Sequence, residues 1–463
     1  MSAIVKGVSV MVLLQAFLKV LGIISTLILA RFLTPEDYGL YAVAFLGISF
    51  IETISLFGDS AYILKEKNLT SDKINTAWTI KVVKYFVLGF ALFFSSPYLA
   101  LFLETPDVEP LLNTLSIAFW ISAPGYMTEA ILQREQKYKK IASLHAMTKL
   151  ISFCTTIGLA INGFGVYSLI FGYLANRLAI TVGSFILLEN RKIKLTFSEF
   201  KHQWSFTRWI ILSNLFVFLR NKVDRILLAK YFDVHTMGLV NMATGLAMMP
   251  IEQIVSPAQN VFANECASKR DDYKELYKSF AFYYDATILI LTPVCIGFIL
   301  VTEPLIHLAL GERWVGTINI IPLVIWALFF ETANGMLWHF NILTNKQKYV
   351  SFIDIAILMI SAPVFLYFSL SDNLDALLWS KGGALLIMGV TLALLAFGWK
   401  KVSLVFLNYS FWRTATATLV MFKAVSLLPI YDDLTNLVLI IAIGGISYSL
   451  WVLLFHHVFC KKY

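Results

Sequence analysis

The sequence predicts an all-α polytopic membrane protein of about fourteen spanning helices. Three observations carry that prediction: an apolar composition, apolar runs of about 20 residues at regular spacing, and lysines and arginines gathered in alternate connections. Of 463 residues, 58% are hydrophobic and 14% charged, where a soluble domain carries about a quarter charged residues. Mean hydropathy is +0.74. So apolar a chain has too little polar surface to stay in solution, which excludes a soluble globular protein.

The spans follow in order. A spanning helix needs roughly 20 mostly apolar residues to cross about 30 Å of hydrocarbon. Such windows fall at 8–30, 40–60, 77–97, 111–131, 143–162, 166–188, 208–229, 238–260, 281–301, 317–340, 350–370, 376–397, 413–429 and 437–458. The first run, Val8 to Ala30, exceeds a signal-peptide core and lacks a small-residue cleavage site before Arg31. It reads as the first span and not as a removable leader.

An even number of crossings puts both termini on one side. With the N-terminus in the cytoplasm, all but ten of the 37 lysines and arginines fall at cytoplasmic ends and loops. Three of the ten, Arg31, Lys230 and Arg313, fall in outer loops, and seven fall inside spans. Short loops with this bias obey the positive-inside rule. A missed or invented helix would scramble the alternation downstream of it, yet the bias holds to Lys461 and Lys462. The net charge of +8 therefore reflects topology, and no nucleic-acid partner is needed to explain it. The four cysteines, Cys154, Cys266, Cys295 and Cys460, show no metal-binding spacing and read as small core residues.

The chain also repeats itself. Ala30-Arg31-Phe32 with Gly39-Leu40 reads against Ala229-Lys230-Tyr231 with Gly238-Leu239, an offset of 199. Ile131-Leu132 with Gln136-Lys137-Tyr138 reads against Ile342-Leu343 with Gln347-Lys348-Tyr349, an offset of 211. Members of each pair fall on the same side of the membrane, so the repeat is parallel, related by an axis along the membrane normal. The expected plan is two six-helix lobes, 1–200 and 201–400, around a central cavity, plus two further helices in 401–463. That is the plan of an alternating-access transporter.

Charges inside the spans are costly. The cations are Lys19, Arg177, Arg220, Lys222, Arg225, Lys381 and Lys423. Facing lipid, seven of them would cost on the order of 20 kcal/mol. Lys381 is near a helix end and can snorkel, whereas Lys19, Arg177 and Lys423 lie near mid-depth in their spans. The seventh span reads Arg220-Asn221-Lys222-Val223-Asp224-Arg225. Arg220 and Asp224, four apart, can pair on one face; Lys222 and Arg225, three apart, need a partner from another helix or an anionic ligand. Lys19, Arg177, Arg220, Lys222, Arg225 and Lys423 are thus candidate cavity-lining residues for an anion, with diphosphate the obvious one. The intramembrane acids Glu52, Asp224, Glu252 and Glu331 are candidates to carry a proton or sodium ion, or else hydrogen-bonded structural acids. A cationic-drug exporter would need an acid in the core of the first span, where Lys19 and Gln15 stand.

No P-loop, GxSxG, HExxH or GxGxxG stands in a suitable context, so no enzyme active site, cofactor or metal is expected. The seven histidines are scattered.

Three segments then carry a family resemblance: Ala30-Arg31-Phe32-Leu33-Thr34-Pro35-Glu36-Asp37-Tyr38-Gly39-Leu40-Tyr41-Ala42, Gln133-Arg134-Glu135-Gln136-Lys137-Tyr138-Lys139, and Asn221-Lys222-Val223-Asp224-Arg225-Ile226-Leu227-Leu228. The chain resembles Wzx-type polysaccharide and O-antigen repeat-unit flippases of the multidrug/oligosaccharidyl-lipid/polysaccharide superfamily, particularly the colanic-acid and teichuronic-acid exporter branch. The resemblance implies a MATE-like fold in the bacterial inner membrane. It implies a flippase moving undecaprenyl-diphosphate-linked oligosaccharide to the periplasmic leaflet by proton or sodium antiport. Membrane lipid, a polysaccharide polymerase and export machinery are the implied partners. The alternatives are a multidrug or lipid II exporter of the same fold and a membrane-embedded polysaccharide polymerase. The polymerase would require a sizeable outer loop, and the outer loops here are short.

Overall fold

The computed structural model describes residues 2–55, 62–64, 66, 68–188, 193–269, 272–398, 409–428 and 433–460. Of the cations used for orientation, Lys65, Lys67, Arg191, Lys192, Arg270, Lys400, Lys401, Lys461 and Lys462 lie outside the described residues. The described residues form sixteen α-helices: α1 (Ser2–Phe32), α2 (Pro35–Ser55), α3 (Ser71–Phe102), α4 (Val108–Ser122), α5 (Thr128–Arg134), α6 (Tyr138–Ile161), α7 (Val166–Ile186), α8 (Phe200–Tyr231), α9 (Val234–Pro250), α10 (Ser256–Ser268), α11 (Tyr273–Leu305), α12 (Thr317–Leu343), α13 (Gln347–Leu370), α14 (Leu374–Phe397), α15 (Tyr409–Ser426) and α16 (Leu434–Cys460). Among them, α3, α6, α7, α11, α12, α13, α14 and α16 are long and apolar enough to cross a membrane. The chain is an all-helical, multi-pass membrane protein. Its outer faces fit lipid as solvent: Phe86, Val87, Phe90, Phe93, Phe94 and Leu101 of α3 are all exposed.

Two predicted spans are broken, each at proline. The fourth divides into α4 and α5 at Pro124-Gly125, which frees backbone carbonyls at the break. Neighbouring side chains satisfy them. Trp78 donates to the Pro124 carbonyl at 2.9 Å and Lys81 to that of Gly125 at 2.7 Å, while Thr181 of α7 donates to Ile121 O at 3.0 Å. The eighth span divides into α9, a π turn at Ile251–Val255 and α10, between Pro250 and Pro257. A proline has no N–H to give its i−4 carbonyl, and the widened turn absorbs the gap.

The chain forms two compact units, Met1–Gly238 and Leu239–Tyr463. In the first, α6 packs against α7 and α1, and α2 packs against α4 and α8. A small core of Tyr62, Ile63, Ile74, Ala77, Tyr126 and Ile131 sits where α3 meets the α4–α5 break. Arg134 closes that region by donating to Ile63 O at 2.6 Å. In the second unit an aromatic cluster forms the centre, with Phe280 4.6 Å and Phe397 5.2 Å from Phe340 between ring centroids.

The repeat is visible in the helix ends, with one correction. The offset of 199 holds: α1 ends at Phe32 and α8 at Tyr231, and α2 and α9 begin at Pro35 and Val234. These two starts pack reciprocally. A Cβ on Gly39 would strike the Val234 carbonyl, and one on Gly238 would strike the Pro35 carbonyl. Glu36 accepts from His235 Nδ1 at 2.7 Å between them. The offset of 211 does not match the helix ends. α6 and α13 run from 138 to 161 and from 347 to 370, an offset of 209. The preceding turns agree, with Gln136 at φ 56° and Asn345 at φ 59° each closing a helix in the left-handed conformation. The Gln-Lys-Tyr match is two residues out of register with the helix ends.

Candidate functional site

In the first unit, α2 and α7 are joined at two levels. At the outer level, Asp37 near the start of α2 accepts from the backbone N–H of Val166, the first residue of α7, at 2.9 Å. Deeper, Arg177 in the middle of α7 pairs with Glu52 of α2. Tyr173 stands one turn before Arg177 on the same face. Its hydroxyl donates to Glu52 Oε1 at 2.7 Å and accepts from Arg177 Nη2 at 2.6 Å. The Tyr173 ring lies 4.8 Å from the guanidinium carbon, so it also supports Arg177 from below. Phe45 meets Tyr173 edge-on at 5.7 Å, and Tyr41 stacks on Phe45 at 5.5 Å. Tyr41, Phe45 and Glu52 lie four and seven residues apart, close to whole helical turns, which puts them on one face of α2. The ion pair stays accessible: the Arg177 side chain is 28% exposed and that of Glu52 32%.

The sequence proposed Arg177 for substrate and Glu52 for ion coupling as separate elements; the structure brings them together. Tyr173 was missed, although its spacing of four from Arg177 was a readable signal.

The dense segment of the seventh predicted span lies in α8. Arg220 donates to Asn221 Oδ1 through Nε at 3.1 Å and Nη2 at 2.9 Å. Asp224 is buried at 4% exposure, and Arg225 Nε lies 3.7 Å from its carboxylate. Arg225 thus has an acidic neighbour in the adjacent Asp224. Lys222 and Lys19, on α8 and α1, are half-buried. Phe50 of α2 meets Phe218 of α8 at 5.3 Å, which ties the α8 segment to the helix that carries Glu52.

The remaining candidates belong to the second unit. Glu252 is exposed in the π turn and Glu331 is exposed on α12. Lys423 is exposed and lies in the last turn of α15, which corrects its mid-depth placement. The apolar residues Leu427 and Leu428 beyond the helix end had stretched the window. No cluster of metal-ligating side chains occurs among the described residues.

What this geometry offers chemically is cationic and amphipathic. Forked guanidinium groups, supported by an aromatic face and by carboxylates, suit recognition of phosphate or carboxylate oxygens.

Comparison with known proteins agrees with the fold and the family. The chain is 25% identical to the lipopolysaccharide biosynthesis protein WzxC of Escherichia coli (strain K12) over 311 residues, 66% of this chain and 62% of that protein. It is 19% identical over 288 residues to the succinoglycan biosynthesis transport protein ExoT of Rhizobium meliloti (strain 1021), covering 62% of this chain and 58% of that one. It is 20% identical over 287 residues to the teichuronic acid biosynthesis protein TuaB of Bacillus subtilis (strain 168), covering 59% and 57%. The chain thus spans less than two thirds of the length of each of these relatives. Among solved structures, the fold is similar to the lipid II flippase MurJ in an inward closed conformation, with a TM-score of 0.79 at 14% identity over 96% of this chain and 98% of that one. It is also similar to a multidrug resistance MATE family transporter in an inward-facing conformation, with a TM-score of 0.63 at 12% identity over 84% and 96%. The polysaccharide biosynthesis protein family model matches residues 28–319, more than half of the chain, and the chain belongs to that family.

Proposed function

We propose that the chain is a flippase that moves undecaprenyl-diphosphate-linked oligosaccharide repeat units from the cytoplasmic to the periplasmic leaflet of the bacterial inner membrane. It serves assembly of a surface polysaccharide such as O-antigen, capsule or exopolysaccharide. Transport runs by alternating access of the repeat's lobes, 1–200 and 201–400, and draws on a proton or sodium gradient. Both termini lie in the cytoplasm, and a repeat-unit polymerase and export machinery take the product onward.

The observation that carries this reading is the set of basic side chains placed inside apolar helices, foremost Arg177 in the middle of α7. Cations at that depth persist where they meet an anion or an aqueous opening, because lipid exposure is costly. A lipid-linked diphosphate brings the anion and the apolar chain together. The basic core disfavours cationic drugs as cargo. Lipid II carries the same diphosphate chemistry, so the experiment must separate the two.

Deleting the gene is expected to abolish surface polymer and leave complete lipid-linked repeat units on the cytoplasmic side. Normal polymer together with accumulated peptidoglycan precursor would replace this reading with a lipid II exporter. Normal polymer with no accumulated intermediate would remove both.

A further inference from the structure

We propose that Glu52 is a built-in competitor for the anion that Arg177 binds, so that substrate enters by displacing one carboxylate from one guanidinium. The inference rests on the flippase reading and specifies how its site is loaded and emptied.

Three observations support it. First, Glu52 occupies Arg177 in the way an anionic ligand would. Its Oε1 accepts from both Arg177 Nη2 and the Tyr173 hydroxyl, so one carboxylate oxygen gathers two donors. A phosphate oxygen takes up the same donors with the same geometry. Second, the pair is not sealed. With about a third of each side chain exposed, a competing anion can reach the guanidinium without unpacking the helices. Third, the donors are held independently of Glu52. Tyr173 and Arg177 are both on α7, hydrogen-bonded to each other at 2.6 Å, with the guanidinium over the ring. Loss of the carboxylate therefore leaves a preformed two-donor receptor, while Glu52 is carried by a different helix, α2. The outer tie between Asp37 and Val166 keeps α2 and α7 together when the inner one opens.

Such an arrangement serves a transporter better than an unopposed cation would. A buried charge with no counter-ion is costly when empty and binds its ligand too tightly to release it. An internal carboxylate lowers the cost of the empty state and returns to expel the anion. Glu52 thus sets affinity through Arg177 and is a positioning residue that need not touch the cargo.

The test is equilibrium binding of farnesyl diphosphate to the purified full-length chain in detergent, with inorganic diphosphate measured alongside to isolate the headgroup. Glu52→Gln keeps the shape and removes the competing charge; it is expected to bind about tenfold more tightly than wild type, in line with measured couplings between close charge pairs. Arg177→Gln is expected to lose about tenfold, and the double variant to match Arg177→Gln. Glu52→Asp keeps the charge and is expected to stay near wild-type affinity. A purely structural tie between α2 and α7 gives the opposite sign: Glu52→Gln would then bind no better than wild type, or worse, and the proposal would be wrong. Absence of binding by wild type itself would overturn the diphosphate reading and this inference with it. Binding by wild type that is lost in Arg177→Gln but not raised in Glu52→Gln would overturn this inference alone.

Discussion

Lys19→Ala is expected to abolish export of surface polymer while the protein still inserts and accumulates. Lys19 is half-buried in the middle of α1. Removing one partner of a desolvated charge contact costs about 2–5 kcal/mol, so export is expected to fall by about a hundredfold or more. Arg225→Ala is expected to do the same, with a complication that the structure reveals. Arg225 lies 3.7 Å from the buried Asp224, and taking away one partner of a buried pair destabilises a fold by about 3–5 kcal/mol. The informative form is therefore Arg225→Gln combined with Asp224→Asn, which removes both charges at nearly constant volume. Export is measured as surface polymer per cell, and accumulation by immunoblot of the membrane fraction. Normal export by both the Lys19 and the Arg225 variants would sink the assignment of these cations to the substrate path.

The second large effect is on stability. Gly39→Ala and Gly238→Ala each place a methyl group against a backbone carbonyl, Val234 O and Pro35 O respectively. A backbone cannot rotate away as a side chain does, so the helix starts must separate. Overpacking of this kind costs about 1–3 kcal/mol. The two contacts are halves of one reciprocal junction, so the double variant should lose less than the two single losses added together. Gly22→Ala is the control, since nothing lies near its would-be Cβ, and it is expected to leave the chain unaffected. Thermal unfolding of the purified chain followed by tryptophan fluorescence reads the difference. A Gly39→Ala protein as stable as Gly22→Ala would show that the junction is not tightly packed.

Much of the architecture was legible because its causes are local. Apolar length marks a span whatever surrounds it, and eight of the described helices are long and apolar enough to cross a membrane. The failures have local causes as well. Pro124-Gly125 and Pro250 with Pro257 interrupt helices within continuous apolar windows, and a hydropathy window averages over such breaks. The offset of 199 was recoverable because the repeated residues do a job: Gly39 and Gly238 permit the same close approach. The Gln-Lys-Tyr match had no such constraint behind it, and its register was wrong by two.

The candidate site was legible in kind but not in pairing. Residue type alone marked Arg177 and Glu52 as costly in a membrane, so both could be singled out. That they meet, 125 residues apart, follows only from the packing of α2 against α7. Asp224 shows what spacing alone leaves out. Helical spacing favoured Arg220 as its partner, and the structure adds the adjacent Arg225.

The most direct test of the central claim is translocation by the purified chain. The full-length protein is reconstituted into liposomes containing undecaprenyl-diphosphate-linked oligosaccharide, and a membrane-impermeant glycosidase reports the glycan exposed on the outer leaflet. The account predicts that the protected inner-leaflet pool becomes accessible when wild-type protein is present and stays protected with Lys19→Ala. Continued protection in the presence of inserted wild-type protein, under an imposed proton or sodium gradient of either direction, would contradict it.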